Sequence, residues 1–164
     1  MGESLRYQGV VRKAIKEVKF RGSHDIIKEL VVIWNPYFSE RYREFRDQVI
    51  VSAVPMWWQK ERVRGFNQAA LIAKLVALEW RVAYGELLMR TRDTKPMYGL
   101  DRKNREKNVS NAFALNTKIQ RSHNKHRVVI LIDDVWTSGA TMRECARVLR
   151  GNGVAEVRTI TLAR

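Results

Sequence analysis

The sequence has very little cysteine and no long apolar run. Cys145 is the only cysteine among 164 residues, so neither an internal disulfide nor a four-thiolate zinc site can form. No stretch approaches the roughly 18 apolar residues that a membrane span needs. The first residues also lack the apolar segment of a secretory signal. We therefore expect a cytoplasmic protein with no zinc and no membrane contact.

Acidic residues are scarce compared with basic ones. The chain has 31 Lys and Arg against 17 Asp and Glu, which gives a net charge of +14. Such an excess predicts attraction to anions, whether phosphorylated small molecules, nucleic acid or an acidic partner. Charge alone does not choose among these three classes.

The apolar pattern predicts strands that alternate with helices. Strands are expected at residues 49–54, 87–89, 128–132 and 156–162, and helices at residues 5–20, 23–33, 67–82 and 140–150. Polar loops are expected at residues 59–65 and 120–127. This order predicts an α/β fold, with a mostly parallel sheet flanked by helices. We expect one domain over residues 1–164, with a helical part to about residue 46 and a core from about residue 47.

Residues 128–141 carry the chemistry. An apolar strand is followed by Asp133 and Asp134, then by a loop rich in hydroxyl groups, then by a helix. A helix N-terminus favours an anion, because its first N–H groups are unpaired and the helix dipole is positive there. Ionised carboxylates accept hydrogen bonds only, so they match sugar hydroxyls or a cation. A ligand with hydroxyls at one end and phosphate at the other, such as ribose 5-phosphate, satisfies both.

This segment resembles the phosphoribosyl pyrophosphate (PRPP) motif of type I phosphoribosyltransferases. Trp136 departs from the motif, which usually has an aliphatic residue there. The resemblance implies the type I fold, and it implies that Asp133 and Asp134 hold the ribose hydroxyls, partly through a Mg²⁺ ion that accompanies PRPP. It also implies a cradle for the 5-phosphate formed by Thr137, Ser138, Gly139, Ala140 and Thr141.

Two further motifs are similar to those of the ComF family, a group of competence-associated phosphoribosyltransferase-like proteins. One is RVRGFNQA, from Arg62 to Ala69, and the other is the basic stretch from Arg92 to Phe113. The four-cysteine zinc module at the start of many members is missing here. Met97 stands where a Gln is common.

In the type I fold, the loop after an early strand contacts pyrophosphate. Arg62 and Arg64 lie in the corresponding loop and are our candidates for stabilising the leaving group, although a solvated basic loop is the alternative. Asn67 and Gln68 either orient this loop or cap the following helix, and capping by Asn67 is the commoner explanation.

The basic stretch at residues 90–109, named here the lid segment, has two interpretations. It is either a mobile lid that closes over PRPP, with Arg102, Arg105 and Asn108 as candidates, or a surface for single-stranded nucleic acid. In the second case Trp57, Trp58 or Tyr98 would stack on bases.

Two functions therefore stay open. The first is a phosphoribosyltransferase that binds Mg²⁺ with PRPP and releases pyrophosphate. The second is a non-catalytic protein that acts in DNA uptake by binding single-stranded DNA or a competence protein. A homo-oligomer is compatible with both.

Overall fold

The computed structural model describes residues 29, 43–97, 99–117, 128–136 and 138–163. The helix predicted at residues 5–20 and the polar loop predicted at 120–127 lie outside these residues, as do Tyr98 and Thr137. Glu29 is helical, in agreement with the helix predicted around it.

The described chain contains six strands, four α-helices and a 3₁₀ helix at Arg43–Gln48. The strands are β1 (Val49–Ala53), β2 (Ala83–Tyr84), β3 (Leu88–Arg90), β4 (Phe113–Leu115), β5 (Val128–Val135) and β6 (Glu156–Ala163). The α-helices are α1 (Trp58–Arg64), α2 (Gln68–Trp80), α3 (Arg102–Val109) and α4 (Ala140–Gly151). None of these helices combines the length and the apolar character that a membrane span requires.

The central sheet has four strands in the order β2-β1-β5-β6, and all its pairings are parallel. β1 and β5 are the two inner strands, which explains why their sequences are almost entirely apolar. β3 and β4 form a separate antiparallel pair. The predicted α/β fold with a parallel sheet flanked by helices is thus confirmed.

Alternate residues of the inner strands face two different apolar layers. Val49 and Val51 pack with α2 in one layer, whereas Ile50 packs in the other with α4 and the β3–β4 pair. Cys145 lies in the second layer, fully buried, and burial raises the pKa of its thiol well above the usual range. This confirms the predicted burial of the thiol.

The structure corrects the prediction of a polar loop at residues 59–65. That stretch is the helix α1, which ends where Gly65 adopts a left-handed φ of 85° and donates its N–H to the Glu61 carbonyl at 2.7 Å. The helix has no buried residue. Because no face of this helix is buried, its sequence has no apolar periodicity, and its polar residues predict a loop.

Candidate functional site

The acidic pair lies at the carboxyl edge of the sheet, beside the loop that follows β1. β5 continues through Asp133 and Asp134 to Val135, three residues beyond the predicted end of the strand. β1 ends at Ala53 opposite Ile132, and the Val54 N–H donates to the Ile132 carbonyl at 2.8 Å. The structure therefore brings the acids and the post-β1 loop, which begins at Val54, together at the carboxyl edge of the sheet. Ligands of open α/β sheets bind at this edge.

Asp133 is held in a setting that opposes its ionisation. Burial raises the pKa of Asp133 well above the usual range, and the neighbouring Asp134 carboxylate adds to the effect. Asp133 Oδ1 accepts a hydrogen bond from the Asp134 backbone N–H at 2.9 Å, which partly offsets the rise in pKa. A ligand hydroxyl or a cation next to this pair would supply the stabilisation that the free site lacks.

The loop at residues 136–139 connects β5 to α4. We call it the phosphate loop because it contains part of the predicted 5-phosphate cradle. Gly139 is the N-cap of α4 with a left-handed φ of 71°, and as a glycine it has no side chain that could cap the helix. Ser138 Oγ accepts a weak hydrogen bond from the Ala140 N–H at 3.4 Å. Thr141 follows in the first helical turn, whose N–H groups have no partner four residues earlier. The described part of this loop therefore offers hydrogen-bond donors at a helix N-terminus.

Trp136 lies directly against the phosphate loop. A Cβ placed on Gly139 would collide with the Trp136 ring, meeting Cζ2 and lying 2.9 Å from Cη2. The residue at position 139 must therefore be glycine both for its φ and for the space that the indole occupies.

Arg143 links the phosphate loop to the lid segment, a role that the sequence analysis missed. Its guanidinium donates to the Ser138 carbonyl at 3.0 Å and to Glu106 Oε1 on α3 at 2.8 Å. The signal available in the sequence was its position on α4, one turn after Gly139.

Arg90 is a second residue that the sequence analysis missed. Its guanidinium stacks over the Phe113 ring at 5.3 Å, and it donates to Thr94 Oγ1. Its positive charge acts to lower the pKa of Asp133, which places it near the acidic pair. Arg90 lies two residues after the buried Leu88 in β3, and this period of two indicates an inward-facing side chain.

Arg62 and Arg64, which were expected in a loop, lie on α1 and are held differently. Arg64 is half-buried, and its Nη1 donates to Gln68 Oε1 at 2.7 Å and contacts Met56 Sδ at 3.8 Å. Arg62 is exposed on α1. Asn67 caps α2 as predicted, since its Oδ1 accepts from the Ala69 N–H at 3.0 Å, and its Nδ2 donates to the Val54 carbonyl at 3.0 Å.

The three lid candidates also differ. Asn108 forms two hydrogen bonds with the Lys95 backbone. Its Nδ2 donates to the Lys95 carbonyl at 2.8 Å, and its Oδ1 accepts from the Lys95 N–H at 3.1 Å, so Asn108 holds the loop before α3 in place. The Arg102 side chain is 80% exposed and pairs with Glu106 at 3.5 Å. Arg105 is half-buried, and its Nε lacks a hydrogen-bond partner.

Lys60 ties the post-β1 region to the lid segment. Its Nζ contacts Asp93 Oδ1 at 2.5 Å and donates to the Thr94 carbonyl at 3.2 Å. Together with the Arg143–Glu106 pair, this contact connects the lid segment to both loops at the edge of the sheet.

Comparisons with known proteins agree with this geometry. Residues 69–164 match the family model described as "Phosphoribosyl transferase domain". The chain is 33% identical to the "DNA utilization protein YhgH" of Escherichia coli over 70% of this chain and 48% of that protein. It is 30% identical to "Competence protein F" of Haemophilus influenzae, over 77% and 55% of the two chains. It is 27% identical to "Competence protein ComFC" of Bacillus subtilis, over 96% and 61%.

A solved structure shows the fold. The hypoxanthine-guanine phosphoribosyl transferase of L. donovani superposes with a TM-score of 0.50 at 14% identity, covering 85% of this chain and 68% of that one. The chain spans about half the length of the first curated relatives that it matches. The chain belongs to the phosphoribosyl transferase domain family, and the names of its relatives agree with a place in the ComF family.

Proposed function

We propose that this chain binds PRPP, or a ligand with a ribose 5-phosphate group, at the carboxyl edge of the sheet. The observation that carries the proposal is the arrangement at the end of β5. There the paired carboxylates of Asp133 and Asp134 and the uncapped N-terminus of α4 lie at the two ends of one short loop. The carboxylates suit the ribose hydroxyls and the loop suits the 5-phosphate, so one ligand answers both requirements.

The reaction that fits this site is phosphoribosyl transfer with release of pyrophosphate. The bond between the anomeric carbon and the pyrophosphate oxygen breaks, and a bond from that carbon to an acceptor nucleophile forms. Arg64, the last residue of α1, is our first candidate for stabilising the charge that develops on the leaving group, and Arg62 is the second. The remaining catalytic effect would come from holding both reactants in one geometry. We place this activity in the cytoplasm, in keeping with the single buried cysteine.

Magnesium fits this site as a companion of the ligand. Among the described residues, no group of three His, Cys, Asp or Glu side chains forms a cage for a metal. Mg²⁺ is typically held by one or two carboxylates together with the phosphates of a substrate, and Asp133 and Asp134 can supply the carboxylates. The ion would neutralise negative charge on the pyrophosphate group.

Thermal denaturation tests whether the pocket binds its ligand. PRPP with Mg²⁺ should raise the Tm of the wild-type protein, since binding to the native state stabilises it. The double variant Asp133→Asn/Asp134→Asn should lose this rise while remaining folded. A wild-type protein whose Tm does not respond to PRPP, with or without Mg²⁺, would contradict the proposal.

A second measurement tests turnover. Purified protein incubated with PRPP, Mg²⁺ and a panel of candidate bases should release pyrophosphate faster than the double variant does. If PRPP raises the Tm but no acceptor in the panel leads to pyrophosphate release, the protein binds PRPP without transferring its phosphoribosyl group.

A specific surface feature favours single-stranded nucleic acid as a second candidate ligand. Trp58 is 56% exposed on α1, its ring centroid lies 6.0 Å from that of Trp57, and Lys60 and Arg62 follow on the same helix. Aromatic rings beside basic residues are typical of surfaces that stack bases and contact phosphates. Titration with single-stranded DNA should show affinity that falls as salt rises, and Trp58→Ala should weaken it. Salt-independent binding, or none, would exclude this candidate.

A further inference from the structure

Gln68 has an unusual combination of burial and hydrogen bonding. Its residue is only 2% exposed, its Oε1 accepts from Arg64 Nη1 at 2.7 Å, and its buried Nε2 has no hydrogen-bond partner among the described residues. Buried donors without partners are rare in folded proteins, because the lost hydration is not replaced. Stability therefore does not explain why an amide stands here, since only its oxygen forms a hydrogen bond and its nitrogen does not.

The position of Gln68 supplies that reason. Asn67, the preceding residue, donates to the Val54 carbonyl, and Val54 in turn bonds to Ile132, next to Asp133. Gln68 is thus anchored at the carboxyl edge of the sheet. Its partner Arg64 also contacts Met56, two residues after Val54, so the guanidinium is held over the post-β1 loop.

The choice of an amide rather than a carboxylate matters for the charge of Arg64. A glutamate at position 68 would form a charge-assisted hydrogen bond with Arg64. It has no side-chain N–H group that could be buried without a partner. It would also neutralise the guanidinium. A neutral amide oxygen fixes the orientation of the guanidinium and leaves its full positive charge available for an anion.

We propose that Gln68 is a positioning residue that aims Arg64 at the pyrophosphate portion of the ligand without neutralising it. The inference rests on the proposed function, because it assumes that an anion is bound beside the post-β1 loop. It goes beyond that function by separating the two arginines: Arg64 is the held, functional cation, whereas the exposed Arg62 lacks such support.

The test compares two probes at two ends of the site, inorganic pyrophosphate and ribose 5-phosphate, by calorimetric titration. Gln68→Glu should weaken pyrophosphate binding by about tenfold and change ribose 5-phosphate binding less than twofold, because only the first probe needs the charge of Arg64. Gln68→Met, which removes both hydrogen-bonding groups, should weaken pyrophosphate binding less, because the charge of Arg64 is kept. The control is Lys74→Gln on the exposed face of α2, which changes the net charge by the same one unit and should have no effect on either probe.

A double-mutant cycle shows whether Gln68 acts through Arg64. In the Arg64→Gln background, Gln68→Glu should reduce pyrophosphate affinity by less than twofold further. A purely structural role would instead lower the Tm and weaken both probes together in every background. Should Gln68→Glu fail to fold, the cycle with Gln68→Met serves the same purpose.

The outcomes separate the inference from the proposed function. If the wild-type protein binds ribose 5-phosphate and pyrophosphate but Gln68→Glu leaves pyrophosphate affinity unchanged, the role of Gln68 is overturned and the pocket stands. If the wild-type protein binds neither probe and PRPP does not raise the Tm, the proposed function is overturned and the inference with it.

Discussion

Two helices begin at the same edge of the sheet, and they begin in different ways. α2 follows β1 and is capped by the Asn67 side chain, whose Oδ1 accepts from the Ala69 N–H. α4 follows β5 and starts from Gly139, with no side-chain cap. The Asn67 cap gives one free N–H group of α2 an internal partner, whereas in the described part of the loop before α4 the only such contact is the weak one from the Ala140 N–H to Ser138 Oγ at 3.4 Å. On the proposed function, we expect α4 to bind phosphate through its backbone, and the region before α2 to contribute side chains, Arg64 above all.

The largest expected effect is at Gly139, where α4 begins. Gly139→Ala should destabilise the protein by about 2–4 kcal/mol, because alanine resists a left-handed φ and its Cβ would collide with the Trp136 ring. It should also abolish the rise in Tm with ribose 5-phosphate. Urea denaturation and thermal shift measure the two effects.

Gly153 provides a matched control for this prediction. It has a left-handed φ of 90°, but a Cβ there would meet nothing within 4 Å. Gly153→Ala should therefore show the strain of the backbone alone, about 1 kcal/mol, and retain ligand binding. Equal losses at the two glycines would mean that the indole has room to move away, and the tight fit of the phosphate loop would be wrong.

The second prediction concerns the cap of α2. Asn67→Ala should destabilise the protein by about 2 kcal/mol, because it removes the cap and leaves the Val54 carbonyl without its side-chain donor. Ribose 5-phosphate affinity should stay within twofold of wild type, since the phosphate loop is on the other helix. Asn67→Ser keeps a capping oxygen and should recover part of the stability. Loss of ribose 5-phosphate binding in a folded Asn67→Ala protein would refute the division of roles between the two helices.

The sequence predicted the elements around this comparison better than the contacts within it. β1, β5, α2 and α4 have long apolar patterns and recognisable caps, and the structure confirms each of them. The short strands β2 and β4 were not predicted, because two or three residues carry little pattern and depend on partners distant in sequence.

The candidate site shows the same limit. The PRPP motif and the motif around Asn67 are continuous in sequence and could be identified directly. The contact from Gln68 to Arg64 spans a helix boundary that was predicted as loop, and the Arg143–Glu106 pair joins residues 37 positions apart. Such contacts depend on how the elements pack, which no local pattern encodes.

The third prediction compares the ends of the two inner strands. β1 ends on neutral residues, whereas β5 has two acids just before its last residue, one of them in a setting that raises its pKa. Asp133→Asn should therefore raise the Tm of the ligand-free protein at neutral pH by about 2–4 °C, because a carboxyl whose pKa is raised by folding costs free energy at every pH above its unfolded pKa, and a neutral amide does not. The same variant should lose most of its response to PRPP. A lower Tm without ligand would show that Asp133 stabilises the empty fold and is not held there for a ligand.

The smallest expected effect lies near the middle of α4, where Glu144 contacts the turn after α3. Glu144 accepts from the Asn111 N–H at 2.7 Å and from Arg147 at 2.8 Å, and these contacts lower the pKa of its carboxyl, the Arg147 hydrogen bond most strongly. Glu144→Gln should destabilise the protein by about 1 kcal/mol at neutral pH. A carboxylate whose pKa is lowered by folding contributes stability above its unfolded pKa and loses it as the pH falls through the folded value.

The difference in unfolding free energy between Glu144→Gln and wild type should therefore shrink below about pH 4.5, the region in which the wild-type carboxylate takes up its proton. Urea denaturation from pH 3.5 to 7 measures this. The variant should leave ribose 5-phosphate binding unchanged, because Glu144 faces the turn at Asn111 and the phosphate loop lies one turn earlier on α4. A pH-independent difference would mean that shape, and not the charge of Glu144, holds this turn against α4. Weaker ribose 5-phosphate binding would mean that a change at the contact between Glu144 and Asn111 reaches the phosphate loop through α4.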